Sequence, residues 1–207
     1  LFHKEKYHLL RLTLDGAEAV SEKFTDPAEA EQAAAMCKGA AVTCTSVTKE
    51  QKREQPPKLY DLTTLQREAN RLFGYTAKQT LDYAQSLYEK KLLTYPRTDS
   101  RYLTSDMAET ASCVIHLAAK LPPFDGCTNF FPLVEAMASD KDVSDHHAII
   151  PTMEIEKADI KALPLGERNL FLLVCCKLLC AVAEPHIFES ITAVFSCADT
   201  EFTAKGK

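Results

Sequence analysis

The spacing of hydrophobic residues divides the chain into strand-like and helix-like portions. Apolar and polar residues alternate over residues 7–14 and 187–197, and residues 41–49 are rich in Val and Thr, so all three segments predict β-strands. Between residues 58 and 185 the apolar spacing is mostly helical. The sequence therefore predicts an α+β protein in which a mainly α-helical domain is inserted between β-rich segments.

Capping residues predict where the first helices begin and end. Asp26 and Pro27 suit the start of a helix over residues 28–37, which Gly39 is placed to end. Gly74 likewise ends a helix that starts at residue 62, on which three apolar residues share one face with Leu62. Those three residues are Leu65, Ala69 and Leu72.

Thr76 is placed to cap the next helix, which runs to about residue 90. Its residues spaced to face a core are Thr80, Tyr83, Ala84, Leu87 and Tyr88. Thr104 or Ser105 can cap a further helix that ends near residue 120. A shorter helix is predicted near residues 132–139 and a long buried one over residues 165–184.

Two breaks in the pattern predict the domain boundaries. The polar run at residues 49–55, followed by Pro56 and Pro57, ends the first β-rich part. Pro185 ends the helices. The predicted organisation is a first β-rich segment at 1–57, a helical domain at 58–185 and a returning β-rich segment at 186–207.

Composition is ordinary for a globular protein, with 46% hydrophobic and 26% charged residues. The sequence starts at Leu1 without methionine and stops where a strand-like pattern has just begun, so we expect a piece of a longer protein. No signal peptide is visible. The longest apolar run, residues 170–182, contains Lys177 and is too short to cross a bilayer, so no membrane partner is expected.

None of the eight cysteines forms a C-x-x-C pair, so zinc-ligand spacing is missing. Cys175, Cys176 and Cys180 cluster in a segment that is apolar around most of a helix. We interpret them as buried structural thiols of a protein in a reducing cytoplasm.

Charge is uneven along the chain. The net charge of −5 arises from −2 over residues 1–48, +4 over residues 49–101 and −7 over residues 102–207. The basic part is too weakly charged for a broad nucleic-acid surface. Any phosphate contact there must come from individually placed residues.

The basic part contains a tyrosine set among phosphate-binding side chains. Tyrosine phenols ionise near pH 10, so a tyrosine attacks near neutral pH only when a proton acceptor or a positive charge assists it. Arg97 supplies a charge two residues after Tyr95, Thr98 and Ser100 supply hydroxyls, and Pro96 restricts the backbone between them. The alternative is an ordinary surface turn after a helix.

Four motifs in order give this tyrosine a context. They are TTLQREAN at 63–70, GYTA at 74–77, LLTYPRTDS at 92–100 and HHAIIPT at 146–152. Together they resemble type IA DNA topoisomerases over about residues 56–185. Pro96 after the tyrosine, and the form of the histidine motif, are similar to the topoisomerase III branch.

The resemblance implies a fold and a set of roles. It implies a helical domain that carries the tyrosine and is inserted between β-rich arch segments. Tyr95 would attack single-stranded DNA and become joined to a 5′ phosphate, while Arg97 and His146 would stabilise the phosphate. Tyr60 and Tyr102 are the nearest rivals as nucleophile. Further residues that would contact DNA are Gln66, Arg67, Thr94, Thr98, Asp99, Ser100, His147 and Thr152.

The resemblance also implies an ATP-independent isomerase that relaxes or decatenates DNA in the bacterial cytoplasm, at the nucleoid. Its Mg²⁺ would be bound by a Toprim domain, which this chain lacks; the acidic residues 140–145 look instead like a solvated loop. The expected partners are single-stranded DNA and the remaining domains of the same enzyme. The rival hypothesis is a non-catalytic module that binds single-stranded nucleic acid, in which Tyr95 stacks on a base.

Overall fold

The computed structural model describes residues 5–126 and 134–207. The chain divides into two compact units, of which unit 1 comprises Leu1–Glu54 and His186–Lys207 and unit 2 comprises Gln55–Pro185. Unit 1 contains an antiparallel sheet, and unit 2 is mainly helical. This separation of helices from an antiparallel sheet confirms the α+β prediction.

Unit 1 contains one helix and a five-stranded sheet. Helix α1 (Pro27–Cys37) begins as predicted, since the Asp26 carboxylate accepts a 2.8 Å hydrogen bond from the Ala28 amide. The strands lie in the order β1-β2-β5-β4-β3 with antiparallel neighbours. Their bounds are β1 Arg11–Leu14, β2 Ala17–Ser21, β3 Val42–Glu54, β4 His186–Cys197 and β5 Thr200–Gly206.

The strands differ from the prediction in two ways. Strand β3, expected over residues 41–49, continues through the polar run to Glu54, where unit 1 gives way to unit 2, and all thirteen residues of β3 are exposed. Backbone pairing with β4 maintains this strand, helped by a 3.4 Å ion pair between Lys49 and Glu189 across the two strands. Strand β2 was missed because Ala and Glu rarely favour strands. It is the second arm of a hairpin whose turn contains Gly16, at a φ of 80°.

Unit 2 contains the four helices α2 to α5. Their bounds are α2 Leu62–Phe73, α3 Ala77–Glu89, α4 Ala108–Ala119 and α5 Leu165–Ala181. Gly74 ends α2 in the left-handed conformation, with a φ of 70°. The Thr76 hydroxyl accepts from the Gln79 amide at 3.1 Å, and the Gln79 side chain accepts from the Thr76 amide at 2.9 Å. The predicted cap of α3 is thus confirmed as a reciprocal capping box.

The core of unit 2 confirms most, but not all, of the predicted helix faces. Leu65 and Ala69 of α2 are buried, as are Thr80, Ala84 and Leu87 of α3. Two side chains predicted to face the core are instead largely exposed, Leu72 at 46% and Tyr88 at 40%. The last turn of α2 is exposed on every side, and Tyr88 packs against a ring outside the helix bundle.

Two later predictions also need correction. The helix expected near residues 132–139 is a short 3₁₀ turn, Val134–Met137, and residues 132 and 133 lie outside the described part of the chain. Helix α5 ends at Ala181 rather than near residue 184. Cys175 is buried as predicted, whereas Cys176 and Cys180 are exposed. They lie four residues apart, hence on the one face of α5 that the core does not cover.

Among residues 5–126 and 134–207, none of the helices combines the length and hydrophobicity that a bilayer-spanning segment needs.

Candidate active site around Tyr95

Tyr95 lies in an extended segment that is bonded to the histidine motif. The Thr94 amide donates to the Ile150 carbonyl at 2.9 Å, and the Thr152 amide donates to the Leu92 carbonyl at 3.1 Å. The Thr94 hydroxyl accepts from the Ile150 amide at 3.0 Å and donates to the Ala148 carbonyl at 3.2 Å. Two motifs more than fifty residues apart are thereby held side by side.

This pairing places Tyr95 between two other rings. Its centroid lies 4.5 Å from that of the His146 imidazole, at an interplanar angle of 51°. On another side, Tyr88 approaches edge to face, with centroids 5.4 Å apart at 74°. Tyr95 is half-buried, while His146 is exposed. The phenol is therefore positioned by packing and still borders solvent.

Thr98 and Ser100 direct their hydroxyls into the protein. The Thr98 hydroxyl donates to the His146 carbonyl at 2.8 Å and accepts from the Ser100 amide at 3.1 Å. The Ser100 hydroxyl donates to the Asp142 carbonyl at 2.9 Å. Both residues are buried, at 8% and 4% exposure. The two hydroxyls hold the loop that precedes the histidine motif. From the sequence we had instead expected them to contact DNA.

Arg97 and Asp99 point the other way, into an open hollow of about 460 Å³ in front of these segments. The start of α2 forms one wall, held in place by a 3.1 Å hydrogen bond from the Leu62 amide to the Thr98 carbonyl. Among the described residues that line the hollow, Arg97 is the one permanent cation. The full lining consists of Asp61, Leu62, Thr63, Arg97, Thr98, Asp99, Ser144, Asp145 and His146.

Four other residues predicted to contact DNA are not among those lining the hollow. The Gln66 amide group donates to the Ala77 carbonyl at 3.0 Å, across the turn between α2 and α3. The Nδ1 of His147 lies 2.8 Å from the Ala148 carbonyl oxygen. The Thr152 hydroxyl donates to the carbonyl of Lys91. Arg67 is exposed on α2 and forms no ion pair within the described ranges.

Neither rival tyrosine has comparable surroundings. Tyr60 is 2% exposed, and its burial, followed by the nearby Glu68 carboxylate, raises the pKa of its phenol far above the usual value. It therefore remains protonated. The Tyr102 ring lies under the Lys58 ammonium, with Nζ 4.8 Å from its centroid. Tyr95 is the tyrosine that lies beside both the histidine motif and the Arg97 hollow.

Two of the acidic residues after position 139, Asp140 and Asp142, accept local hydrogen bonds from side chains. The Asp140 carboxylate accepts from the Ser105 amide at 2.7 Å and from its hydroxyl at 2.8 Å, and these bonds lower the pKa of Asp140. Within residues 5–126 and 134–207, no three His, Cys, Asp or Glu side chains gather closely enough to hold a metal ion.

Sequence reasoning missed several contributors to this site, among them Tyr88, Asp61 and Thr63. Tyr88 was assigned to the core, although its position just before the end of α3 directs it to Tyr95. Asp61 and Thr63 line the hollow. In the sequence, Asp61 is recognisable only as a helix cap and Thr63 only as a surface residue. No local pattern marks these residues, because their proximity to Arg97 arises from tertiary packing.

Comparison with known proteins gives consistent matches over the whole chain. A family model described as DNA topoisomerase matches residues 1–207. A protein named DNA topoisomerase 3 from Shouchella clausii (strain KSM-K16) is 38% identical over 225 aligned positions, covering 100% of this chain and 30% of that protein. Another of the same name from Bacillus cereus (strain ATCC 14579) is 39% identical over 173 positions, covering 80% of this chain and 23% of that protein.

A solved structure shows the same fold. Full-length topoisomerase I from Thermotoga maritima superimposes with a TM-score of 0.67 at 23% identity, covering 97% of this chain and 33% of that one. The chain thus spans a third or less of the length of these relatives.

Proposed function

Because this chain belongs to the DNA topoisomerase family, we propose that it carries the strand-cleaving tyrosine of a type IA enzyme of the topoisomerase III branch. The observation that carries the proposal is the contact between the Tyr95 and His146 rings, 4.5 Å apart, beside the Arg97 hollow. A phenol, a cation and an imidazole ring thus lie near one another and border solvent, and this supports the proposal.

The proposed reaction is a reversible exchange of phosphate esters. The Tyr95 phenol oxygen attacks the phosphorus of a single-stranded DNA phosphodiester, and the bond from phosphorus to the 3′ oxygen breaks. The phenol gives up its proton as it attacks, the 3′ oxygen takes up one proton and leaves as a hydroxyl, and the 5′ phosphate stays on the tyrosine. Reversal by the same hydroxyl reseals the strand without ATP, because the phosphotyrosine ester retains the energy of the broken bond.

Arg97 and His146 would stabilise the charge on the reacting phosphate. The Arg97 guanidinium is exposed and can hold two non-bridging oxygens with its planar fork. The His146 ring can donate a hydrogen bond to a phosphate oxygen or to the departing 3′ oxygen. Asp99 and His147 would contact the DNA strand at the edge of the site.

The hydroxyls of Thr94, Thr98 and Ser100 act in this proposal as positioning groups. Each forms hydrogen bonds inside unit 2, and together they determine where the two catalytic motifs meet. Thr152 serves in the same way through Lys91. A displacement of the nucleophile by about 1 Å lowers rates markedly, so positioning contributes to catalysis without direct contact with DNA.

Activity of a whole enzyme would need parts beyond this chain. Asp61, Asp99 and Asp145 border the hollow and disfavour a phosphate there, so further positive charge is required. We propose that Mg²⁺ bound by another domain supplies it. Relaxation or decatenation of DNA in the bacterial cytoplasm is then the work of the assembled domains.

The test is a covalent adduct in a protein that joins this chain to the remaining topoisomerase domains. After reaction with single-stranded DNA, denaturant should trap an adduct, and mass spectrometry of its digest should place the nucleotide on Tyr95. Tyr95→Phe should abolish the adduct, whereas the matched variant Tyr88→Phe should retain it. A nucleotide on Tyr102, or strand binding without any adduct, would favour the rival role as a non-catalytic binding module.

A further inference from the structure

A second polar pocket, of about 270 Å³, lies along α2 in unit 2. One face of the helix lines it, with Thr64, Arg67, Glu68 and Arg71 at the spacing i, i+3, i+4 and i+7. None of these four residues lines the hollow beside Tyr95. The helix therefore borders two separate concave sites, one at its start and one along its side.

Positive charge dominates this pocket. Arg101 and Lys177 also line the pocket, so that with the two arginines of α2 four cations face the single carboxylate of Glu68. Glu68 pairs with Arg71 at 3.0 Å and with Lys177 at 3.5 Å. Burial alone would raise the pKa of Glu68, but these two cations outweigh it and lower that pKa. Within the described ranges, Arg67 and Arg101 form no ion pair with a carboxylate.

Tyr60 also lines the pocket and provides a neutral donor. The Lys177 ammonium lies 4.6 Å from the centroid of its ring. The Tyr60 hydroxyl is shielded from solvent, and although the Glu68 carboxylate lies close enough to raise its pKa, no described residue meets it with hydrogen-bond geometry. Because burial and the Glu68 charge raise the pKa of this phenol, it keeps its proton and adds no negative charge. A buried donor without a partner, next to several cations, suits an anion that brings oxygen acceptors.

We propose that this pocket binds a backbone phosphate of the same DNA strand that reaches Tyr95, an inference that rests on the proposed function. Thr63 lines the Tyr95 hollow, and Arg67 lines the cationic pocket four residues later. Four residues rise about 6 Å along a helix, so a DNA strand that lies along α2 would reach both sites in succession. Arginines suit this task because their planar guanidinium holds two phosphate oxygens at once.

The test compares variants of the chain in fluorescence anisotropy with a fluorescein-labelled oligothymidylate at several salt concentrations. The double variant Arg67→Gln/Arg71→Gln removes two exposed cations and should weaken binding about tenfold or more. It should also reduce the slope of log K against log salt by about 1.4, since each phosphate contact to a single strand contributes about 0.7. Glu68→Gln should do the opposite and tighten binding, because it frees Arg71 and Lys177.

Arg168→Gln is the matched control, and its affinity should be unchanged. It lies on α5 nine residues before Lys177, which is the opposite face of the helix. An Arg67→Gln/Arg71→Gln variant that binds as tightly as the Arg168→Gln control would overturn the pocket assignment. If Arg97→Ala still weakens binding in that case, the proposed function stands and only the pocket fails.

A second experiment distinguishes a DNA phosphate from free phosphate as the ligand of the pocket. It measures the binding of inorganic phosphate by ³¹P NMR. The proposal is overturned if inorganic phosphate binds saturably and the double variant abolishes that binding without any change in its affinity for DNA. The pocket would then be a site for a free anion. In a protein with all topoisomerase domains, the double variant should need about tenfold more DNA for half-maximal formation of the Tyr95 adduct, whereas Tyr95→Phe abolishes the adduct at any DNA concentration. That result separates this pocket from the cleavage site.

Discussion

The Thr98 hydroxyl donates a 2.8 Å hydrogen bond to the main-chain carbonyl of His146, 48 residues further along the chain. This bond is made by a residue that is 8% exposed. It connects the tyrosine motif to the histidine motif, and both residues also border the hollow that Arg97 faces. The separation of the Tyr95 and His146 rings therefore depends on an internal contact.

Thr98→Val tests this dependence. Valine has nearly the same shape but no hydroxyl, so the His146 carbonyl and the Ser100 amide each lose a partner. Unfolding free energy should fall by about 1–3 kcal/mol, measured by urea denaturation. Thr98→Ser, which keeps the hydroxyl, should lose much less. Equal stabilities of the valine and serine variants would contradict the assigned role.

Gly166→Ala should destabilise the chain, although alanine normally favours a helix. A Cβ at this position of α5 would lie 2.5 Å from the ring of Tyr83. The expected loss is about 1–3 kcal/mol from overpacking, against a gain of up to about 1 kcal/mol from helix propensity. In a Tyr83→Leu background the same substitution should become neutral or stabilising. Urea denaturation of the original chain, the two single variants and the double variant measures the coupling energy between Gly166 and Tyr83.

Cys180 should be alkylated at unusually low pH. A hydrogen bond from the Cys176 thiol lowers the pKa of Cys180 to about 6, and the Lys177 charge adds to this effect against the burial of the group. Because the pKa is lowered, the reactive thiolate predominates above pH 6, and the iodoacetamide rate should reach half its plateau there. Mass spectrometry of the labelled peptide from about pH 5 to pH 9 measures this profile.

Cys176→Ala is the control for this effect. It removes the donor, so the profile of Cys180 should shift to higher pH. An unchanged profile would show that the Cys176 thiol does not stabilise the thiolate.

Glu167→Gln should weaken the contact between α3 and α5. The Glu167 carboxylate, 8% exposed, accepts from the Ser86 hydroxyl at 3.0 Å and from the Lys90 ammonium. Because Lys90 is partly exposed and screened, the expected loss is only about 1–2 kcal/mol. Glu154→Gln breaks the exposed 3.7 Å pair with Lys157 and should cost less than about 0.5 kcal/mol. Similar losses in both variants would contradict the importance of burial at Glu167.

Local signals allowed correct prediction of much of the helical structure. Asp26, Gly74 and Thr76 determine helix ends through contacts within a few residues, so their effect is visible in sequence. The polar half of β3 carries no such signal. It is a strand because β4, which lies more than 130 residues later in the chain, pairs with it. Pairing partners of this kind cannot be inferred from side-chain periodicity.

The candidate site, too, was predictable from the sequence only in part. The order of the motifs suggested that Tyr95, Arg97 and His146 act together, and the structure places them around one hollow and one ring contact. Which hydroxyls point inward was not predictable, because Thr98 and Asp99 are both ordinary polar residues of one loop. Their orientations are decided by the acceptors that the loop before His146 presents.

The pairing of Glu54 with His186 also constrains how the chain can fold. These two residues are neighbours across β3 and β4, yet all of Gln55–Pro185 lies between them in sequence. Bringing the ends of so long a disordered segment together carries a large entropy cost. A segment that has already become compact, with its ends close, reduces that cost. We therefore expect the helical unit to fold early and the last two strands to complete the sheet late, so that refolding of unit 1 waits for unit 2.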